Sequence, residues 1–286
     1  METRDLSGRH VLVTGASSGI GRATALECAR RGASLFVCDV DQAGLEKTAG
    51  EARGLGREVL ARRVDVASPE AMAGFAAEVH EHCEAVDLLV NNAGVAVAGG
   101  LLDTTLEDWE RIIDINLRGV VHGCHYFIPR MVERARGGHV VIVSSAAGYS
   151  PLDGLVAYCT TKFSVLGLAD SLADELARRG IGVTAICPGI IDTPITQSAT
   201  LRGEYDSPGA RELMVERYRK RGYTPDRVAT AILAAVHKNR VVAPVTPEAW
   251  GLYWLSRFTP GLFRWLRRRA SARARHEMKA GAAAQS

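Results

Sequence analysis

The segment AYCTTKFS, Ala157 to Ser164, sets a phenol and an ammonium four residues apart. On a helix that interval stacks two side chains on one face, about one turn apart, so Tyr158 and Lys162 can share a site. A cation held near a phenol favours its ionised form. The same spacing also arises on an ordinary surface helix whose lysine stretches its stem over apolar neighbours. Which of the two applies depends on the elements that position the pair and on what those elements bring with it.

The chain reads as alternating strands and helices. HVLVTG is a short β-rich run ending in glycine, and GIGRATALECARRG has helical spacing and a terminal glycine. ASLFVCDVD, QAGLEKTAGEARGLG and REVLARRVDV continue as strand, helix and strand. Ser68 with Pro69 marks a helix start, and VDLLVNNAG is a fourth strand running into a loop. Thr105 to Asp108 reads as a capping box that opens one long helix through Ala135. GGHVVIVSS, the helix from Val156, IGVTAICPG, a helix from Thr224 and Pro225, and RVVAPV complete the series. Near-continuous Val/Ile/Leu runs alternating with helices predict an α/β fold, a doubly wound parallel sheet of about seven strands with helices on both faces. Between Ile191 and Gly222 the pattern breaks down around a short helical stretch, read either as a substrate lid or as a surface insertion.

In such a sheet, ligands bind beyond the carboxyl ends of the strands. After the first strand, TGASSGIG (Thr14 to Gly21) lets the backbone approach a pyrophosphate at the positive end of the next helix. The second strand ends in Asp39, eighteen residues past Gly21, where an acid binds ribose hydroxyls and repels a 2′-phosphate. Ser18 and Val40 stand where a phosphate-binding form would carry a basic residue, and Arg22 is the nearby cation, so NAD(H) is expected over NADP(H). VDV, NNAG (Asn91 to Gly94), Ser144 and Ser145, and PGIIDT (Pro188 to Thr193) follow at the later strand ends.

Taken together, TGASSGIG, NNAG, Asn116 in DINLRG, Ser145, the YxxxK of Tyr158 to Lys162, and PGxxxT resemble the short-chain dehydrogenase/reductase family, in order and spacing from Leu6 to about Val245. The resemblance implies a Rossmann-type catalytic domain over residues 1–245 and an active-site tetrad of Asn116, Ser145, Tyr158 and Lys162. Ser145 is taken over Ser144 because it precedes the tyrosine by thirteen residues, the family's usual separation. Tyr158 would be the acid/base, Ser145 would orient the substrate oxygen, Lys162 would bind the nicotinamide ribose, and Asn116 would anchor a relay water. Cofactor contacts are implied for Gly15, Ser17, Ser18, Gly19, Ile20 and Gly21, for Asp39, and for Asp65 and Val66 at the adenine. They are also implied for Asn92, Ala93 and Gly94, for Pro188, Gly189 and Ile191, and for Thr193 at the carboxamide.

A free phenol ionises near pH ~10, so a base working close to neutrality needs roughly 4 kcal/mol of help. A unit charge about 4 Å away, at an effective dielectric of about 20, supplies about that much. Lys162 is therefore expected to pull Tyr158 down. The implied reaction interconverts a secondary alcohol and a ketone, with a small hydrophobic substrate hinted at by apolar residues in the lid and tail. A 3-oxoacyl thioester reductase and a non-catalytic dinucleotide-binding scaffold are the alternatives. Family members pair through their two long helices, implying a homodimer or homotetramer.

At net +3 over 286 residues, with the surplus confined to Arg257 through Lys279, the chain is not a basic nucleic-acid binder. The six cysteines show no CxxC pair or dense framework, and the first residues show no signal peptide, so a cytoplasmic protein is expected. His80, His82 and Cys83, and the pair His122 and His125, lack the further ligands a metal site needs. Residues 246–286 form a separate extension with two helix starts, Thr246/Pro247 and Thr259/Pro260. Its aromatic stripe, Trp250, Trp254 and Phe258, followed by arginines, is open to two readings: peripheral membrane contact, or packing against the pocket or another subunit.

Overall fold

A computed structural model describes residues 1–269. Its first half alternates β1 (His10–Thr14), α1 (Gly19–Arg30), β2 (Ser34–Asp39), α2 (Gln42–Gly54), β3 (Val59–Arg63), α3 (Pro69–His82) and β4 (Leu88–Asn91). The second half holds β5 (Val97–Ala98), α4 (Leu106–Ile113), α5 (Gly119–Arg134), β6 (Gly138–Val143), α6 (Val156–Ala177) and β7 (Ile181–Cys187). After these come α7 (Ile195–Ser198), β8 (Thr200–Leu201), α8 (Ala210–Arg221), α9 (Pro225–His237), β9 (Val242–Pro244) and α10 (Pro247–Phe258). Residues 260–269 are helical, and the rest of the tail lies outside the described residues.

Among the described residues, seven strands form one sheet in the order β3-β2-β1-β4-β6-β7-β9. Every pair in it is parallel, as the unbroken apolar runs predict. Strand order reverses between β1 and β4, which opens a crevice at their carboxyl ends. Side chains alternate across the sheet: Leu12 faces a core with Phe127, Met131 and Val165, while Val11 and Val13 face one with Leu45, Ile232 and Leu233. Burying side chains of this size contributes roughly 1.5–3 kcal/mol each, so both helical layers are held by the hydrophobic effect.

The helix starts follow their local chemistry. Ser68 accepts the Ala71 N–H at the head of α3, with Pro69 in the first turn. Thr105 and Asp108 exchange both bonds of a capping box at the head of α4, each at 3.2 Å. The long helix expected from Leu106 is not uniform. A single π turn, Asp114–Arg118, separates α4 from α5. Such a turn needs a tertiary partner rather than a local signal, and Asn116 supplies it, as described below.

The insertion between Ile191 and Gly222 is more ordered than its sequence pattern predicts. β8 pairs in parallel with β5. Arg202 then forks onto buried Asp108, Nε to Oδ2 at 2.7 Å and Nη2 to Oδ1 at 3.0 Å. The capping residue of α4 thus also anchors the insertion.

The amino ends of the strands form the stable base. Arg134 and Asp87, both almost fully buried, pair at 3.1 Å. His139 on β6 is also buried and bonds Thr184 on β7 at 2.8 Å, while Thr184 donates to the Arg240 carbonyl. Burial drives the His139 pKa down to about 3. Its imidazole stays neutral in the fold but takes a proton in the unfolded chain from pH ~6.5 downward. The chain is expected to lose stability as pH falls from about 6.5 towards 5. The urea midpoint followed by circular dichroism should drop over that window, and the drop should flatten in His139→Gln.

Candidate active site

The glycine turn after β1 is tight because its backbones touch. Gly15 adopts φ +67°, and a Cβ there would stand 2.7 Å from the Ala93 Cα. A Cβ on Gly21 would run into the Gly15 carbonyl. Two loops are bolted together at this point. The Thr14 hydroxyl accepts the N–H groups of Asn92 and Ala93, each at 3.0 Å, and the Asn92 amide donates to the carbonyls of Thr14 and Gly15. Thr14 was not legible as a site residue, since its role is to join two backbones distant in sequence. Thr193 lies over the same turn, its Cβ 3.5 Å from where a Gly19 side chain would begin. Ser18 is the extended residue before α1 and Ile20 lies in its first turn.

At the end of β2, Asp39 accepts the Ser17 N–H at 2.9 Å and the Asp41 N–H at 3.0 Å. Arg22 does not face this carboxylate. Its Nη2 is shared between both carboxylate oxygens of Glu51 on α2, at 2.6 and 2.7 Å. Arg63, Asp39's partner in the β2–β3 register, is held on the Val40 carbonyl. Asp65 accepts the Ala67 N–H at 2.9 Å, and the Val66 carbonyl is engaged by His122 Nδ1 at 2.8 Å. That bond accounts for His122, and His125 stacks edge-on against Tyr126.

Tyr158 and Lys162 do come together on α6, the ammonium 5.6 Å from the centre of the phenol ring. Lys162 is 5% exposed and donates to the Val143 carbonyl at 2.9 Å, at the carboxyl end of β6. Ser144 turns inward and donates to the Lys162 carbonyl at 2.8 Å. Ser145, in the turn after β6, accepts the Ala147 N–H and lies beside the Tyr158 phenol. The neighbouring Ala146 N–H is tied to the Pro188 carbonyl at 2.8 Å. Cys159, next to the tyrosine, faces away and accepts the Leu152 N–H through sulfur.

Asn116 is 1% exposed. Its side-chain oxygen accepts the Val95 N–H at 2.8 Å, and its amide donates to the Val95 carbonyl at 2.9 Å and to the Thr161 hydroxyl at 3.1 Å. Both N–H donors of the amide are therefore committed, one to the loop after β4 and one to α6. Thr161 in turn donates to the Tyr158 carbonyl. Neither Val95 nor Thr161 carries a sequence signal, because both contacts join residues far apart in the chain. Gly94 completes the floor. A Cβ there would sit 3.2 Å from Asn116 Oδ1 and 3.6 Å from the Lys162 nitrogen, filling the space in front of the ammonium.

The electrostatics correct one expectation. Burial pushes the Tyr158 phenol above its ordinary range, and the Ser145 hydroxyl only partly opposes this. Burial also lowers Lys162 to about 8. The predicted downward pull on Tyr158 assumes a full, solvated charge beside a solvated phenol. The ammonium is itself desolvated, and near pH 8 it is only half charged. In this chain the loss of water around the phenol outweighs the neighbouring cation.

The model of the short chain dehydrogenase family matches residues 9–202, and the chain belongs to this family of oxidoreductases. It is 44% identical over 258 residues to the probable oxidoreductase EphD of Mycobacterium tuberculosis, covering 89% of this chain and 44% of that protein. The chain thus spans less than half the length of that relative. It is 36% identical over 252 residues to the putative oxidoreductase SadH of the same organism, covering 87% of this chain and 90% of that one. A short-chain dehydrogenase/reductase from Burkholderia phymatum, solved in complex with NAD, superimposes with a TM-score of 0.79 at 28% identity, over 88% of this chain and 93% of that one.

The Asn116 clamp is directly testable. Asn116→Leu keeps the volume but strands both Val95 backbone groups, at a cost of about 2–4 kcal/mol. The urea midpoint should fall accordingly, and an unchanged midpoint would show that the π turn does not depend on this amide.

Proposed function

We propose that this chain is a nicotinamide-dinucleotide oxidoreductase that interconverts a secondary alcohol and a ketone on a small hydrophobic substrate, with NAD(H) preferred over NADP(H). One observation carries the reading: Tyr158, Lys162 and Ser145 converge at the carboxyl ends of β6 and β7, across from the glycine turn at the sheet's switch point. The structure of the Burkholderia relative with NAD supports the choice of cofactor.

The residues present fit such a cofactor. The Gly15–Gly21 turn brings bare backbone to the head of α1, where a pyrophosphate is favoured. Ser17, Ser18, Gly19 and Ile20 line that turn, and Thr193 closes over it. Asp39 uses two of its acceptor positions on backbone N–H groups and retains others for ribose hydroxyls. Its charge opposes a 2′-phosphate, and the pairing of Arg22 with Glu51 removes one cation that could compensate. Asp65 and Val66 would border the adenine. Asn92, Ala93 and Gly94 would flank the ribose, and Pro188, Gly189 and Ile191 would back the nicotinamide. Lys162 has donors beyond the one on Val143, and Gly94 leaves room for a hydroxyl in front of them.

When bound, the nicotinamide supplies or accepts the hydride. The rest falls to the chain. Ser145 hydrogen-bonds the reacting oxygen and fixes its position. In reduction the Tyr158 phenol gives its proton to that oxygen, and in oxidation the phenolate takes one up. Because burial raises the phenol, it is protonated across neutral pH and suits proton donation to a ketone. Asn116 holds the π turn so that its backbone can bind a relay water. Residues 191–222 act as the substrate lid, seated on the body through a buried apolar cluster of Ala199 and Leu201 with Leu155 and Met214. Assembly through α5 and α6 agrees with the outward, half-exposed Val121 and Phe163 on those helices.

Ketones and alcohols screened with NADH, NADPH and their oxidised forms test the reading, with Tyr158→Phe as the decisive variant. Its kcat should fall by about 10²–10⁴-fold while dinucleotide binding persists. Full activity in that variant would leave a dinucleotide-binding scaffold instead. Asp39→Ala should raise kcat/KM with NADPH relative to NADH. The pH profile has a defined sign: reduction should stay level across neutral pH, whereas oxidation should climb with pH because a raised phenol loses its proton only in alkali.

A further inference from the structure

The surface of residues 247–269 is left unused by the chemistry above. Its inner side is fixed to the body at several points. Thr246 and Ala249 are fully buried, and the Tyr149 hydroxyl donates to the Ala249 carbonyl at 2.8 Å. The rings of Tyr149 and Tyr253 meet edge to face at 5.3 Å. Farther on, Phe263 is buried and Arg267 Nη1 donates to the Pro151 carbonyl at 2.9 Å. The first helix of the extension thus packs on the body through its inner side. These anchors determine what faces outward.

The outward side is apolar and cationic together. Trp254 is 51% exposed and Phe258 71%, and their rings stack at 5.2 Å on a ladder that begins at Trp250. Leu262, Trp265 and Leu266, at i, i+3 and i+4, are 50%, 48% and 42% exposed. Arg257, Arg264, Arg268 and Arg269 are exposed among them, and residues 257–269 contain no acid. The Arg269 guanidinium lies 4.0 Å over the Trp265 ring. Beside Pro151, Leu152 borders an open cavity of about 600 Å³ that Leu101 also lines, so the apolar surface continues past the extension.

We propose that this surface docks the protein on an anionic lipid bilayer, with tryptophan, phenylalanine and leucine at the headgroup boundary and the arginines on lipid phosphates. A second copy of the chain is the poorer occupant. A two-fold interface would set these unbalanced arginines against their own copies. A spanning mode is also a poor fit, since no helix among the described residues is long and apolar enough to cross a membrane.

Deleting the extension would remove buried core, so surface substitutions on the full chain are the appropriate test. The parent should sediment with phosphatidylglycerol-rich vesicles but not with pure phosphatidylcholine vesicles, release as salt rises, and show a blue shift of tryptophan emission. Each arginine near such a surface is worth roughly fivefold, so R264Q/R268Q/R269Q should weaken partitioning about 100-fold. W254S/W265S should abolish the blue shift at unchanged melting temperature. Equal sedimentation with both vesicle types, or none with either, overturns the proposal. So does L262S/L266S splitting an oligomer in sedimentation velocity without altering vesicle binding.

Discussion

A lysine withdrawn from water is the constraint around which this molecule is arranged. Burying an ammonium is strongly unfavourable unless its hydrogen-bonding capacity is met. Lys162 is met by the Val143 carbonyl where β6 ends, and the sheet makes that carbonyl available. Directly after it the Ser144 N–H makes the last rung of the ladder on the Ile186 carbonyl, and the Ser144 hydroxyl locks the helix that bears the lysine. Strand end, serine turn and helix therefore position one another. Gly94 and Asn116 wall the ammonium from the opposite side, and Asn116 is fixed by the loop that follows β4. A shift in any of these three strand ends would leave a cation in apolar surroundings.

How much of this could be read from the chain depends on how local each device is. Caps, alternating apolar runs and the glycine turn use residues within a few positions of one another, and they locate the sheet, its helices and the switch point. The Tyr158/Lys162 pair is similarly local, since one helical turn dictates its proximity. Its energetics are not local. Spacing gives distance between two side chains but not how much water surrounds them, and here desolvation reverses the direction expected for the phenol. The π turn is hidden for a related reason: DINLR is ordinary helical sequence, and the turn exists because Asn116 reaches Val95, twenty-one residues upstream. The β5–β8 pairing is two residues long on each side, too short for any periodicity to register.

The carboxyl-terminal extension shows why a boundary in composition is not always one in packing. Basic and aromatic residues begin to accumulate after Val245, yet the capping Thr246 and Ala249 in the first turn of α10 are fully buried. Thr246 caps that helix from within the core, accepting the Ala249 N–H. It also stands where a Cβ on Gly189 would collide with it, and Glu248 Oε1 would lie 2.9 Å from the same Cβ. The loop after β7 can lie as close as it does only because residue 189 has no side chain. Tyr149, four residues after Ser145, completes the contact from the other strand end. The extension thus supports both loops that flank the proposed reaction centre.

The same economy appears at Asp108. As the third residue of α4 it closes a capping box, and as a buried carboxylate it receives the Arg202 fork that holds β8 to the body. The guanidinium keeps the Asp108 carboxyl below the usual carboxylate range, so the pair is charged throughout the neutral region. Separating it would leave a buried charge whose remaining partners are neutral capping groups, a costly state even with water nearby. The insertion is tied back a second time from α8, where the Arg211 guanidinium donates to the Gln197 and Ala199 carbonyls just before β8. Arg202 thus fixes the wall built by β5 and β8 to α4, and Arg211 fixes α8 to that wall.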